Sequence, residues 1–244
     1  MTSNAILMWS SSRSGASSFA TAVSSLTSSG VSGDVVLFGN AAGLTQELTS
    51  ELGSRALVGF PAAGGVRDGG LIRYVLIRQQ KTMLAEPDGT ITPRIHRLAA
   101  ALVRAGFPTT VSSDPEGWLI AHAAFVVPIA FALYRVGVDP KRLAGDTGTL
   151  RLMVRATRQA LQALQACSNH QIPRNLRALY LYAPERFAVA YWRRIMASDN
   201  GELWFAGHTR VAPQEMTSLA VAVRDAVARS RRPTPDLAAL LSFG

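Results

Sequence analysis

Glu202 and His208 stand six residues apart in the run Glu202-Leu203-Trp204-Phe205-Ala206-Gly207-His208, a carboxylate and an imidazole bracketing two aromatic rings. Such a pair suits general acid/base work, because an imidazole titrates near neutral pH and a carboxylate can orient it; the other reading is a solvated turn. His122 lies in the apolar run from Ala121 to Tyr134. Burial there disfavours imidazolium and leaves a neutral ring that can accept a proton, although a core histidine bonded to a backbone carbonyl fits the same pattern. Asn40 follows the strand-like run Asp34-Val35-Val36-Leu37-Phe38-Gly39, and a polar residue at the carboxyl end of a parallel strand faces the crevice where α/β proteins bind ligands. Arg155 or Arg158 could hold a carboxylate, but both lie on a polar helical stripe that reads more simply as a solvated face.

Other chemistries find little support. The sequence has no H-x-x-x-H, no H-E-x-x-H and no carboxylate–histidine spacing that suits a metal, and no G-x-S-x-G elbow. The serine-rich stretches Ser10–Ser14 and Ser24–Ser29 read as a flexible turn and a small-residue helix end. Cys167 is the single cysteine, which leaves no disulfide framework; no charged neighbour activates it, so it reads as a packed thiol.

The elements that must carry these residues change character along the chain. Ala5–Trp9, Asp34–Phe38 and Arg55–Phe60 are short apolar runs, and they alternate with the helical stretches Ala16–Leu26 and Leu44–Leu52. That is the βαβαβ rhythm of a parallel sheet. Pro61–Gly70 reads as a long glycine-rich connection, followed by strands at Ile72–Ile77 and Thr82–Glu86. Thr92 can cap a helix that Pro93 opens and Gly106 stops, and Thr109–Val111 adds a last short strand. From Asp114 onward the periodicity is helical. Leu150, Met153, Val154, Leu161 and Leu164 share one stripe, and Arg151, Arg155, Arg158, Gln162 and Gln165 share the opposite one, as an amphipathic helix on a core requires. Further helices are expected at Arg174–Leu181, Glu185–Met196 and Pro213–Arg229. Leu237–Phe243 is an apolar tail that docks on the protein itself or on a second copy. The predicted division is an α/β domain over residues 1–112 and an all-helical domain over 113–244.

Composition narrows the classes. The chain of 244 residues is 48% hydrophobic and carries a net charge of +9, almost wholly from arginine, with lysine only at Lys81 and Lys141. The arginines are dispersed and accompany no nucleic-acid-binding motif, so no nucleic-acid partner is expected. The apolar run Ala121–Tyr134 is short for a membrane span and holds His122 and Pro128, which favours a buried helix. The opening Met-Thr-Ser-Asn has no cationic segment of a secretory signal, and a cytoplasmic protein is expected.

In order and spacing these motifs resemble the ketopantoate reductase family over most of the chain. Val36-Leu37-Phe38-Gly39-Asn40-Ala41-Ala42-Gly43, with Glu47 beyond it, looks like that family's strand, N-G-x-G loop and helix. Gly59–Gly65 looks like its next glycine-bearing strand and loop. Trp118–Leu133 resembles the long helix opening its C-terminal domain, and Gly201-Glu202-Leu203 is similar to its late T-E-I segment. The resemblance implies NADPH-dependent reduction of an α-keto acid. It places Asn40 at the asparagine that touches cofactor and substrate, and Glu202 at the glutamate that orients the substrate hydroxyl; Trp118 would line the substrate site. Against it, Ile120 stands where the family has its acid lysine, and Ala124 where it has a second asparagine. The run after Ala5–Trp9 holds no G-x-G-x-x-G turn, and the resemblance implies that roughly sixty residues of the family's nucleotide domain, its first βαβαβ, are absent from the front.

The expectation is therefore a truncated Rossmann-like sheet followed by a helical domain, with a crevice between them for a carbonyl- or carboxylate-bearing small molecule. With no expected nicotinamide cofactor, the chemistry would be cyclisation, isomerisation or dehydration, carried by His122, Glu202, Asn40 and His208, with Trp118, Arg155 and Glu202 beside the substrate. Two other readings stay open. One is an NADP-dependent reductase with an atypical cofactor site; the other is a non-catalytic module that forms a homodimer through an uncovered sheet face.

Overall fold

The computed structural model describes residues 5–9, 32–40, 42–43, 45–68, 71–78, 80–167 and 172–242. The polar turn expected at Ser10–Gly15 and the helical stretch at Ala16–Leu26 lie outside these residues. The chain divides into two compact units, Met1–Ala63 with Leu76–Leu119, and Gly64–Val75 with Ile120–Gly244.

The first unit is built on a five-stranded sheet in the order β1-β2-β3-β6-β7. Its strands are β1 (Ala5–Trp9), β2 (Asp34–Phe38), β3 (Ala56–Phe60), β6 (Thr82–Ala85) and β7 (Thr109–Val111). β1, β2 and β3 run parallel, with Val36 beside Leu7 on one side and Leu57 on the other. The expectation of a parallel sheet is corrected at one join: β6 lies antiparallel to β3, with Gly59 opposite Leu84, and β7 then runs parallel to β6. Gly59 is required by packing, because a Cβ there would come within 2.7 Å of the Phe38 ring. Val36, Phe38, Leu57 and Leu84 share one face with Ile95, and the partly buried Leu98 and Leu102 close over it.

Two helices of this unit follow from their local sequence. Helix α1 (Thr45–Leu52) buries Leu48 and Leu52. Helix α2 (Pro93–Arg104) starts at Thr92, whose hydroxyl accepts from the Ile95 N–H, with Pro93 in its first turn. It stops at Gly106, which takes φ +89°. The Gly106 and Phe107 N–H groups bond back to the Val103 and Leu102 carbonyls, a paired closure that a left-handed glycine makes possible.

The second unit begins with a two-stranded ribbon, β4 (Ala63–Asp68) and β5 (Leu71–Leu76). Pro61–Gly70 was expected to be a connection, and glycines do ordinarily weaken a strand. Here they serve a close approach: a Cβ on Gly64 would lie 2.8 Å from the Leu203 carbonyl oxygen and 3.3 Å from Trp204 Cα. The ribbon thus belongs with the helical residues rather than with the sheet, and the division of the chain is not a single cut near residue 112.

Helix α3 (Pro115–Arg135) is apolar around most of its circumference. Among the described residues it is the one helix long and apolar enough to cross a membrane, yet 78% of its most apolar window is buried, as in the core helix of a folded domain. Helix α4 (Pro140–Gly145) is capped by Asp139. Helix α5 (Thr147–Cys167) buries the predicted stripe, including Leu150, Met153, Val154, Leu161 and Leu164. Helix α6 (Arg174–Leu176) continues as a π-helix over Arg177–Tyr182, whose last carbonyls are met by the Arg158 guanidinium at Tyr180 O (2.6 Å) and Ala183 O (2.8 Å). Helix α7 (Glu185–Ala197) follows, then α8 (Asp199–Gly201), which runs through a second π-helix over Glu202–Ala206 into Gly207–Val211. Helix α9 (Pro213–Ala228) leads to the tail, where α10 (Pro235–Leu241) docks on α5: the Gln159 amide donates to Asp236 Oδ2 (2.6 Å) and accepts from the Asp236 N–H (2.9 Å). The Cys167 thiol packs near the Leu164 and Ala226 carbonyls.

Candidate functional site

In the first unit the parallel ladder ends at Gly39, whose N–H still reaches the Gly59 carbonyl at 3.2 Å. Asn40 is the next residue. Its Oδ1 and Nδ2 are both shut off from solvent and have no hydrogen-bond partner among the described residues. Leaving one buried polar group unpaired costs on the order of 1–3 kcal/mol, and this amide, with both ends unmatched among the described residues, stands at the carboxyl edge of a parallel strand, where α/β proteins bind ligands. In the same unit the rings of Phe60 and Trp118 meet with centroids 5.3 Å apart, tilted by 43°.

The helix start beyond Asn40 is filled from within the protein. Glu116 Oε1 accepts from the Gly43 N–H at 3.0 Å, and Oε2 accepts from the Thr45 hydroxyl at 3.0 Å. Gly43 takes φ +81°, a left-handed conformation that suits glycine. Asp114 positions this carboxylate by opening α3: its Oδ1 accepts from the Gly117 N–H and its carbonyl from the Trp118 N–H. The Asp114-Pro115 pair is a readable helix-start signal, but nothing in the local sequence shows that Glu116 reaches a turn 73 residues away.

An open groove of about 1100 Å³ crosses the same unit, lined by residues that include Thr45, Thr49, Ser54, Asp88, Arg97 and Glu116. At its floor Arg94 is already matched. Its Nε and Nη2 donate to the two carboxylate oxygens of the buried Glu86, and its Nη1 donates to Asp34 Oδ1 at 2.8 Å and to the Ser54 carbonyl. Burial raises the Glu86 pKa, but hydrogen bonds from Arg94 and Thr92 outweigh it and hold the carboxyl below its ordinary value.

The second unit holds the other expected residues. His122 is buried, edge-on to Phe125 with ring centroids 5.8 Å apart. Phe125 in turn meets Trp192, Tyr180 and Phe205 at 5.8–6.2 Å. Burial, with a smaller contribution from the charge on His208, pushes the His122 pKa down to about 3. Such a ring stays neutral at physiological pH and is a weak base, which is further than the general base expected from the sequence requires.

Glu202 and His208 are not a pair. Glu202 Oε1 lies 2.6 Å from Arg210 Nη1, and Arg210 also donates to the Val138 carbonyl at 3.2 Å. His208, 41% exposed at its side chain, has Nε2 3.5 Å from Glu215 Oε2. The expected solvated turn is instead the π-helix Glu202–Ala206 and the helical turn that follows, which give the two side chains different neighbours. Arg155 is likewise engaged, holding Glu185 through Nε (2.8 Å) and Nη2 (3.2 Å) on the surface, and is not available as a carboxylate clamp. Among the described residues no group of three His, Cys, Asp or Glu could hold a metal ion.

No family model and no curated protein sequence matches the chain. Solved structures do. The Ralstonia solanacearum MolK2 protein assigned as a ketopantoate reductase aligns with 98% of this chain and 74% of its own at 17% identity, with a TM-score of 0.66. The 2-dehydropantoate 2-reductase of Methylococcus capsulatus aligns with 90% of this chain and 71% of its own at 19% identity and a TM-score of 0.61. That of Geobacter metallireducens GS-15 gives 86% and 67% at 13% identity and 0.59. The chain has a ketopantoate reductase-like fold.

Proposed function

We propose that the protein binds a carbonyl- or carboxylate-bearing small molecule at Asn40 and acts on it by proton transfer rather than by hydride transfer. The observation that carries this reading is the Asn40 carboxamide, buried at both polar atoms and unpartnered among the described residues. Its Nδ2 can donate to a carbonyl or carboxylate oxygen while Oδ1 accepts from an adjacent hydroxyl, so a 2-hydroxy or enolised 2-oxo carboxylate satisfies both ends.

NADP is the cofactor that the fold implies, and the start of α1 fits its pyrophosphate poorly. A dinucleotide pyrophosphate is ordinarily held at a helix N-terminus by free N–H groups. At the start of α1 the Glu116 carboxylate already takes the Gly43 N–H and the Thr45 hydroxyl, and a phosphate would meet it as a like charge. Asn40 binds and orients but cannot itself carry a proton. His122 is buried and neutral, edge-on to Phe125. In the second unit His208 is the more exposed imidazole, with Glu215 Oε2 3.5 Å from its Nε2.

Calorimetric titration tests the proposal. 2-Dehydropantoate, the compound named by the solved neighbours, and its 2-hydroxy counterpart pantoate are the probes, with NADPH alongside. Binding of either acid that weakens at least about tenfold, roughly 1.4 kcal/mol, in Asn40→Ala supports it. Acid binding indifferent to that substitution overturns it. Saturable micromolar NADPH binding favours the second reading, an NADP-linked reductase, on whose side stands the likeness to solved 2-dehydropantoate 2-reductases.

A further inference from the structure

Helix α7 (Glu185–Ala197) buries Ala188, Val189, Trp192 and Met196. At about 100° per residue, Arg186, Phe187, Ala190, Tyr191, Arg193 and Arg194 fall within roughly 160° of the opposite arc, and all six are exposed. Phe187 keeps 56% of its surface in solvent and Tyr191 38%. This face carries three guanidiniums and no carboxylate. The helix has one acid, Glu185, which points to Arg155. Arg193 reaches Thr147 Oγ1 with one Nη at 2.8 Å, a neutral contact that leaves its charge uncompensated. Ala190 sits at the middle of the arc between larger side chains, so the centre of the face is a notch.

We infer that this face docks an acidic amphipathic helix of a partner protein, whose apolar residues seat on Phe187, Ala190 and Tyr191 and whose carboxylates meet Arg186, Arg193 and Arg194. Charge selects this occupant. A second copy related by a two-fold axis would set these arginines against their own equivalents, in a chain that already carries a net charge of +9. A single-stranded nucleic acid needs open ring faces for its bases, and the Arg186 guanidinium lies over the Phe187 ring, 5.1 Å from its centroid. Ring edges and the Ala190 notch remain, which suit aliphatic side chains spaced at i, i+3, i+4 and i+7 along a helix.

The test uses the full chain and a labelled peptide of about 20 residues, long enough for several helical turns, with leucine at those spacings and glutamate elsewhere. A scrambled peptide of the same composition, oligodeoxythymidine and phosphatidylserine vesicles are the comparisons. The expected result is saturable anisotropy for the patterned peptide and at least tenfold weaker binding of the scrambled one. Phe187→Ser with Tyr191→Ser should weaken the patterned peptide at least tenfold, and Arg186→Gln with Arg194→Gln should do the same and flatten the salt dependence. All four positions are exposed, so matched thermal melts establish that the variants stay folded. Equal binding of the scrambled peptide, tighter binding of the oligonucleotide or the vesicles, no peptide binding, or wild-type affinity in the variants would each overturn the assignment.

Discussion

The Glu116 carboxylate lies 3.0 Å from the Gly43 amide nitrogen, and its second oxygen lies 3.0 Å from the Thr45 hydroxyl. One acidic side chain from the start of α3 therefore closes the turn that leads into α1. An anion at a helix N-terminus is stabilising through the unpaired N–H groups and the helix dipole together. Glu116→Ala should lower the unfolding free energy by about 1 kcal/mol, the ordinary cost of losing a cap. Urea denaturation measures it, and a midpoint equal to wild type would show that the carboxylate does not hold the turn.

Glu86 is 3% exposed and is bound by Arg94 and Thr92. Its folded-state pKa is held below the ordinary 4.5. A depressed carboxylate contributes stability that is complete above its unfolded value and is lost as pH falls through the folded value. Glu86→Gln should cost about 2 kcal/mol at neutral pH, the scale of hydrogen bonds to a charged group, and the cost should shrink below pH 4.5. Denaturant midpoints at neutral and acid pH decide it; a deficit that does not change with pH would mean that the ion pair contributes nothing through its charge.

For His122 the depressed pKa acts through the opposite group type. The unfolded ring takes a proton near 6.5 and the folded ring only near 3, so the unfolded state binds more protons between those values. Stability falls as pH drops through that window, by up to about 1.4 kcal/mol per unit from this residue. His122→Phe keeps an aromatic ring beside Phe125 and removes the titration. Its unfolding free energy should vary less with pH between 6.5 and 4.5 than that of the wild type. An unaltered slope would place the pH dependence elsewhere.

Gly64 has no room for a methyl group, because the Leu203 carbonyl oxygen would lie 2.8 Å from it. That neighbour is backbone within a helix and cannot rotate away. Gly64→Ala should push the β4–β5 ribbon off the π-helix Glu202–Ala206 and destabilise the second unit by about 1–3 kcal/mol, the usual scale of overpacking. Faster hydrogen exchange across residues 202–206 is the expected signature. Exchange at the wild-type rate would show that the ribbon yields without cost.

Much of the architecture is legible in the chain because it is governed by neighbours in sequence. Thr92, Pro93 and Gly106 mark the ends of α2 through capping and φ preferences that need no tertiary partner. The stripe from Leu150 to Leu164 announces α5 through its 3.6-residue period. Val35–Phe38 and Leu57–Phe60 read as inner strands because they are apolar on both faces. Asn40 is a candidate for the same reason, standing where such a strand ends.

Other features depend on which distant groups come together, and only the tertiary structure decided them. β4 reads as a loop because its glycines have poor strand propensity, whereas their use lies in the approach to Leu203. Glu202 and His208 are close in sequence, but Arg210 and Glu215 claim them separately. Arg155 is drawn to Glu185, and Glu116 to Gly43. The physical reason is common to all four. Propensity and periodicity act over a few residues and are written locally, while hydrogen bonds, ion pairs and desolvation depend on the three-dimensional neighbours of each charged or polar atom. The sequence by itself determined the elements and the edge where Asn40 stands; packing decided which polar groups were consumed by the fold, and left the Asn40 amide among those unmatched in the described residues.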